Sequence, residues 1–427
     1  MFDRTVIDNI LKSEIATALG CTEPACAALC GAKARDLLEQ RPLRADVYVS
    51  RDMMKNAMGV SIPNSDKKGI SAAVALGLAT GGASRSLDVL SSVSEEERAT
   101  SSEIEISLHL DETAPSLYIS VKAYGENSSS VCTIENEHDR FSYLEKDGIK
   151  LDVSGHIIND CASGSSSAEL DALTVSDILD YASSLSPQIK ELLRSAVSTN
   201  LDIAYAGLEK EWGLSVGRTM FPLVGKVQSM DDAMRKAASL ASSASDARMA
   251  GSCRPVMINS GSGNQGITVT VPVKVVADYL KKSEEEMLSA VAVSELTALV
   301  LTSRKARLSA LCGAFTASIG TAVAWTYLSG GREKEIDMTV NNMIGNLSGI
   351  ICDGAKRTCA LKIYTCLIAA SISVHLALNG VCASVESGIV GKDSLESISY
   401  LSKLSHEGME ETDRTILKIM LEKENRN

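Results

Sequence analysis

Between residues 103 and about 152 the apolar positions recur with a period of two, whereas most of the remaining chain has a helical recurrence. That change of period points to an α+β fold, because a period-two stretch cannot sit comfortably as helix. Ile104, Ile106 and Leu108 alternate with polar residues, and 117–121 and 131–134 follow suit, so antiparallel strands are expected there. A further strand is expected over 44–50 and an Ala/Gly-rich helix over 70–82. Residues 4–39 read as helix interrupted at Gly20-Cys21-Thr22-Glu23-Pro24, with Gly20 as a C-cap, Thr22 as an N-cap and Pro24 in a first turn. From Thr174 onward helix dominates, broken over 254–273, where 267–271 is strand-like, and stopped at Gly330-Gly331. The expected organisation is a large, mainly helical domain of 1–40 plus 168–427. A smaller α/β domain of 41–167 with an antiparallel sheet is inserted in it, and the Ser-rich 161–167 serves as linker.

At 427 residues the chain can build two or three domains with sizeable cores. Its net charge of −12 offers no basic field for a phosphate backbone, which argues against nucleic acid as a partner. Met-Phe-Asp-Arg leads straight into an amphipathic helical pattern, so no export signal is expected, and eleven cysteines in such a chain read as reduced thiols in a cytoplasmic protein. Residues 308–331 carry no formal charge and are long enough to span a membrane, but Ala, Gly, Ser and Thr dominate them. A buried core helix is expected there, with no membrane association.

Three cysteines, Cys312, Cys352 and Cys359, lie in weakly charged, small-residue, helical contexts. On one helix Cys352 and Cys359 would share a face about 10 Å apart, beyond one zinc ion or a disulfide, which needs Cα atoms within roughly 7 Å. A cubane cluster could bridge them if the helix breaks at Asp353-Gly354, and three thiolates on four irons leave one iron open. No ferredoxin-like Cys-x-x-Cys series supports this, and Cys366, seven residues further on, could be core. The five histidines show no paired spacing for zinc or di-iron.

Cys21 falls at a helix start, where free N–H groups favour a thiolate that could act as base, nucleophile or metal ligand. Cys26 and Cys30 share a face with small residues and read as core. The glycines and amides of Ser260, Gly261, Ser262, Gly263, Asn264 and Gln265 suit a nest for an anion such as an amino-acid carboxylate, or else an ordinary glycine-rich turn. Lys55 invites a Schiff-base reading without the phosphate-cradling loop that would support it, and Asn56 beside it could reach a polar ligand.

Gly-Cys-Thr-Glu-Pro, Lys-Asn-Ala-Met-Gly-Val-x-Ile-Pro, Ser-Gly-Ser-Gly-Asn-Gln-Gly, and Cys312 with Cys352-Asp-Gly-Ala-Lys and Cys359 occur in that order. Over nearly its whole length the sequence resembles the L-cysteine desulfidase family, an uncharacterised protein family related to the iron–sulfur L-serine dehydratases. The resemblance implies a [4Fe-4S] cluster with one open iron site, held by Cys312, Cys352 and Cys359, and an oxygen-sensitive carbon–sulfur lyase. Cys21 would be its catalytic residue, with the helix start lowering the thiol pKa and the cluster charge raising it. Asn56 and the 260–265 loop would hold a small amino-acid substrate, giving hydrogen sulfide, ammonia and pyruvate from L-cysteine. L-Serine or another β-substituted amino acid is an alternative substrate, and a non-catalytic iron–sulfur redox or sensor protein an alternative role. A homodimer is expected.

Overall fold

The computed structural model describes residues 2–153, 166–305 and 309–424. The first part runs α1 (Arg4–Glu14), β1 (Thr17–Leu19), α2 (Thr22–Leu38), β2 (Arg44–Ser50), α3 (Arg51–Ala57), α4 (Gly69–Thr80) and α5 (Glu95–Ser101). Strands β3 (Glu105–Asp111), β4 (Tyr118–Tyr124), β5 (Ser129–Glu135), β6 (Phe141–Lys146) and β7 (Ile149–Leu151) follow. Helices then take over as α6 (Ser166–Ala172), α7 (Val175–Ala182), α8 (Pro187–Glu209), α9 (Val216–Val224) and α10 (Met230–Met249). After β8 (Pro255–Met257) come α11 (Gly263–Tyr279), α12 (Glu284–Lys305), α13 (Gly313–Leu328), α14 (Glu333–Leu347), α15 (Cys359–Leu378), α16 (Ser394–Lys403) and α17 (Glu410–Glu424).

The period-two stretch forms a six-stranded sheet in the order β3-β2-β4-β5-β6-β7. It is mixed, not purely antiparallel, because β3 lies parallel to β2 while the other pairs are antiparallel. α2 and α4 cover the sheet, and their small residues pack with Val47, Ile119, Val121 and Ile134 into one apolar cluster. Cys26, Cys30 and Cys132 lie buried in that cluster as small apolar groups, as expected for the first two. A second, larger cluster unites α1 with α7, α8 and α10–α16.

The N-terminal segment is divided between the two clusters. Ile7–Ala18 pack with the large helical layer, whereas α2 packs with the sheet, so the chain passes from one apolar cluster to the other near Cys21. Residues 161–165 of the expected linker lie outside the described residues.

Local readings needed correction at three places. Gly20 does have φ +70, but it follows β1, not a helix, and Cys21 itself is the N-cap of α2 with Thr22 the first helical residue. Residues 267–271 are helix within α11, not strand. Thr268 and Thr270 give their hydroxyls to the carbonyls of Asn264 and Gly266 at 2.7 Å each, and Val269 and Val271 are fully buried. Enclosure on every face overrides the strand preference of β-branched residues. The third correction concerns Cys352, which lies in a loop ahead of α15, so it shares no helix face with Cys359.

The uncharged stretch after residue 308 becomes α13, whose residues are nearly all buried. α12 and α15 are long and apolar enough to cross a membrane by length and composition. The apolar window of α12 is 89% buried inside the fold and that of α15 50%.

Candidate active site

Two short pairings bring the distant motifs together. β1 runs antiparallel to β8, Thr17 facing Met257 and Leu19 facing Pro255, and Ile258 N–H donates to Ala16 O at 2.8 Å. This sets the start of α2, with Cys21, against the turn that opens α11. Thr22 Oγ1 then donates to Gly261 O at 2.8 Å. The second pairing is a bridge between Leu311 and Ile351, in which Cys312 N–H donates to Ile350 O at 3.0 Å and Cys352 N–H to Ala310 O at 2.6 Å. It aligns the N-cap of α13, which is Cys312, with the Cys352 loop. Cys359 begins α15, and its sulfur accepts from Lys356 N–H at 3.4 Å.

Cys312, Cys352 and Cys359 line one cavity. Among the described residues no three His, Cys, Asp or Glu side chains converge on a single ion. A lone metal with thiolates at about 2.3 Å has no site here. A four-iron cluster distributes its thiolates over separate irons, so its donor set is wider, and three cysteines lining one cavity fit that demand. The surroundings also suit an anionic assembly. The Cys312 hydrogen bond holds the Cys352 thiol below its ordinary pKa; burial opposes this, and Lys55, the Gly354 N–H and Lys362 add to the lowering. Cys312, giving that hydrogen bond and buried, is pushed up, and burial likewise raises Cys359.

The same cavity is lined by Cys21, Asn56, Ser262, Asn264 and Gln265. Cys21 Sγ donates to Glu23 Oε2 at 2.9 Å. Burial, then the Glu23 charge, drive the Cys21 thiol well above its ordinary value, so at rest it is a protonated thiol despite its place at a helix start. Burial pushes Glu23 up too, but His138, the Cys21 hydrogen bond and Arg248 outweigh it and leave the carboxyl below its usual range. Asn56 lies in the last turn of α3, its carbonyl accepting from Ala355 N–H at 3.3 Å. Gln265 Oε1 takes the hydroxyls of Thr302 at 3.0 Å and Thr316 at 3.4 Å, which leaves its NH2 as what it can offer the cavity.

Ser260, Gly261 and Gly263 do not line the cavity. The turn closes on itself, since Asn259 and Ser262 exchange main-chain hydrogen bonds at 3.2 and 2.9 Å. The expected open nest is therefore reduced to the first turn of α11, capped by Ser262, whose hydroxyl accepts from Gln265 N–H at 3.4 Å. Lys55 is fully buried and points to Asp413, not into the cavity, which removes the Schiff-base reading. Sequence reasoning missed Arg248 and Lys305, both buried and both on the cavity wall, and assigned Glu23 no role. Of these only Glu23 had a signal, its place inside the Gly-Cys-Thr-Glu-Pro motif.

The serine dehydratase alpha chain family matches residues 84–418. A UPF0597 protein of Oleidesulfovibrio alaskensis is 38% identical over 419 residues, covering 97% of each chain. Another of Lachnoclostridium phytofermentans is 37% identical over 97% of this chain and 98% of its own. A third, of Caldanaerobacter subterraneus, is 34% identical over 99% of both. With that match laid over the cysteine-lined cavity, the chain belongs to the serine dehydratase alpha chain family, a family of iron–sulfur lyases.

Proposed function

We propose that the protein is an iron–sulfur-dependent lyase that removes sulfide from L-cysteine by β-elimination. The observation that carries this reading is one cavity lined both by Cys312, Cys352 and Cys359 and by the hydrogen-bonded Cys21–Glu23 pair. The ordered motifs shared with cysteine desulfidases support the choice of substrate. When bound to the three cysteines, a [4Fe-4S] cluster with one iron free of protein ligands supplies a Lewis acid for the leaving group.

The chain's own part is orientation and proton handling. The NH2 of Gln265 and the side chain of Asn56 face the substrate and fix its pose. Cys21 and Glu23 take the Cα proton as a unit: the Cys21 proton moves to Glu23 Oε2, uphill against the resting preference of the pair and so only as the freed sulfur receives the proton from carbon. The C–H electron pair forms the Cα–Cβ double bond as the Cβ–S bond breaks, and sulfide leaves with that bond's electrons. Aminoacrylate then hydrolyses to pyruvate and ammonia in water. A reduced, cytoplasmic setting suits such thiols.

The family's description favours a second reading, dehydration of L-serine at the same site. Hydroxide leaves less readily than sulfide, so that reaction demands a proton donor on the cavity wall. Anaerobic reconstitution followed by sulfide and pyruvate assays decides between them. Sulfide and pyruvate in equal amounts from cysteine are expected; pyruvate from serine alone selects the second reading, and no product from either ends the lyase proposal.

A further inference from the structure

Arg248, in the last turn of α10, is only 4% exposed and yet lines the active-site cavity. Its Nε donates to Gly20 O at 2.9 Å, which fixes the plane of the guanidinium against the β1–α2 turn. No carboxylate lies within 4.0 Å of it among the described residues, although Glu23 is near enough to feel its charge. A guanidinium carries five N–H donors, and among the described residues one is matched. A cation enclosed by the fold, with its remaining donors toward the cavity, favours an anion there.

The neighbouring chain is shaped to leave that fork free. A Cβ at Gly263 would stand 2.5 Å from Arg248 Nε and 2.8 Å from Cζ, so only glycine lets the guanidinium lie beneath the first turn of α11. The free main-chain N–H groups of that turn add partial positive charge on the same side. Beside them Asn264 Oδ1 is buried and has no hydrogen-bond partner among the described residues, which makes it an acceptor awaiting a donor. An acceptor next to a free guanidinium matches the two ends of an α-amino acid.

We infer that Arg248 is the carboxylate anchor of the substrate site, gripping an α-carboxylate through its two Nη groups while Asn264 Oδ1 accepts from the α-ammonium. The assignment rests on the amino-acid lyase reading and gives that site its substrate class: free α-amino acids, with their amides and esters excluded. Planar bidentate geometry is what distinguishes a carboxylate from a carboxamide.

L-Alanine and L-alaninamide test this on the anaerobically reconstituted holoenzyme, because neither has a β leaving group and neither can be consumed. Calorimetry is expected to show the wild type holding L-alanine about 10–100-fold more tightly than L-alaninamide. Arg248→Gln should erase that ratio with cluster absorbance unchanged, and Arg248→Lys should restore part of it. Equal binding of the two probes by the wild type, no binding of L-alanine, or an undiminished ratio in Arg248→Gln overturns the assignment. If Arg248→Gln does not fold, the wild-type ratio and Arg248→Lys still decide. A wild type that discriminates between the probes but releases product from neither cysteine nor serine sinks the lyase reading while leaving the anchor in place.

Discussion

Lys55 and Asp413, 358 positions apart in sequence, form an ion pair in which the lysine side chain is fully buried and the aspartate 8% exposed. The pair fastens α17 to α3, and α3 in turn meets the Cys352 loop, since Lys55 O accepts from Lys356 Nζ at 3.2 Å. The C-terminal helix therefore supports the cysteine wall without touching the cavity. Asp413→Ala leaves a buried ammonium without its carboxylate and is expected to cost about 3–5 kcal/mol in urea or thermal unfolding. Replacing both partners, as Lys55→Met with Asp413→Leu, should recover most of that loss. A cost below about 1 kcal/mol for Asp413→Ala is what a surface pair shows and would contradict the burial argument.

The loop itself depends on one glycine. Gly354 has φ +88, and a Cβ there would stand 2.2 Å from Lys55 O. Gly354→Ala must push the Cys352 loop off α3, so the purified protein should lose most of its iron after reconstitution, as should Cys352→Ser. Cys366 sits fully buried in the helical cluster and does not line the cavity, and Cys366→Ser should keep its iron. Iron and acid-labile sulfide analysis reads all three, and a Gly354→Ala protein with full iron content would mean that the loop does not set the ligand geometry.

Much of this was legible in local pattern. Strand 44–50 follows from its period of two and the helix expected over 70–82, observed at 69–80, from its Ala/Gly-rich composition, and ordered motifs contain several of the residues that line the cavity. What escaped is what depends on partners far along the chain. Arg248 sits in an Ala/Ser-rich helix with no motif around it, and only the β1–β8 pairing places Gly20 where Nε can reach it. Cys21 shows the same limit in electrostatics: a helix start argues for a thiolate, but burial and the Glu23 charge, which are tertiary facts, decide for the thiol.

The Cys21–Glu23 hydrogen bond yields a kinetic prediction. Glu23→Gln keeps the shape of the side chain but cannot accept the Cys21 proton, so turnover should fall by about 10²–10⁴-fold with iron content unchanged. Cys21→Ala should also spare the cluster and remove turnover. Activity of Glu23→Gln within a few-fold of wild type would place the base elsewhere on the cavity wall.

Glu295, on α12, predicts how stability depends on pH. It is 1% exposed, and burial raises its carboxyl from 4.5 to about 8, against the lowering effect of the Asn259 hydrogen bond. Asn259 Nδ2 donates to Glu295 Oε2 at 2.6 Å, while Asn259 Oδ1 has no partner among the described residues. Because the folded-state pKa lies above the unfolded value, the folded protein holds a proton between roughly pH 4.5 and 8 that the unfolded chain has released. Stability from this group is fully present below pH 4.5 and is lost as pH rises through 8. Glu295→Gln removes the titration, so its melting temperature should decline less than that of the wild type between pH 5 and pH 9, with the variant the more stable of the two at the alkaline end. Calorimetric scans across that range measure the difference in slope, and parallel curves would show that Glu295 is ionised in the folded protein at neutral pH.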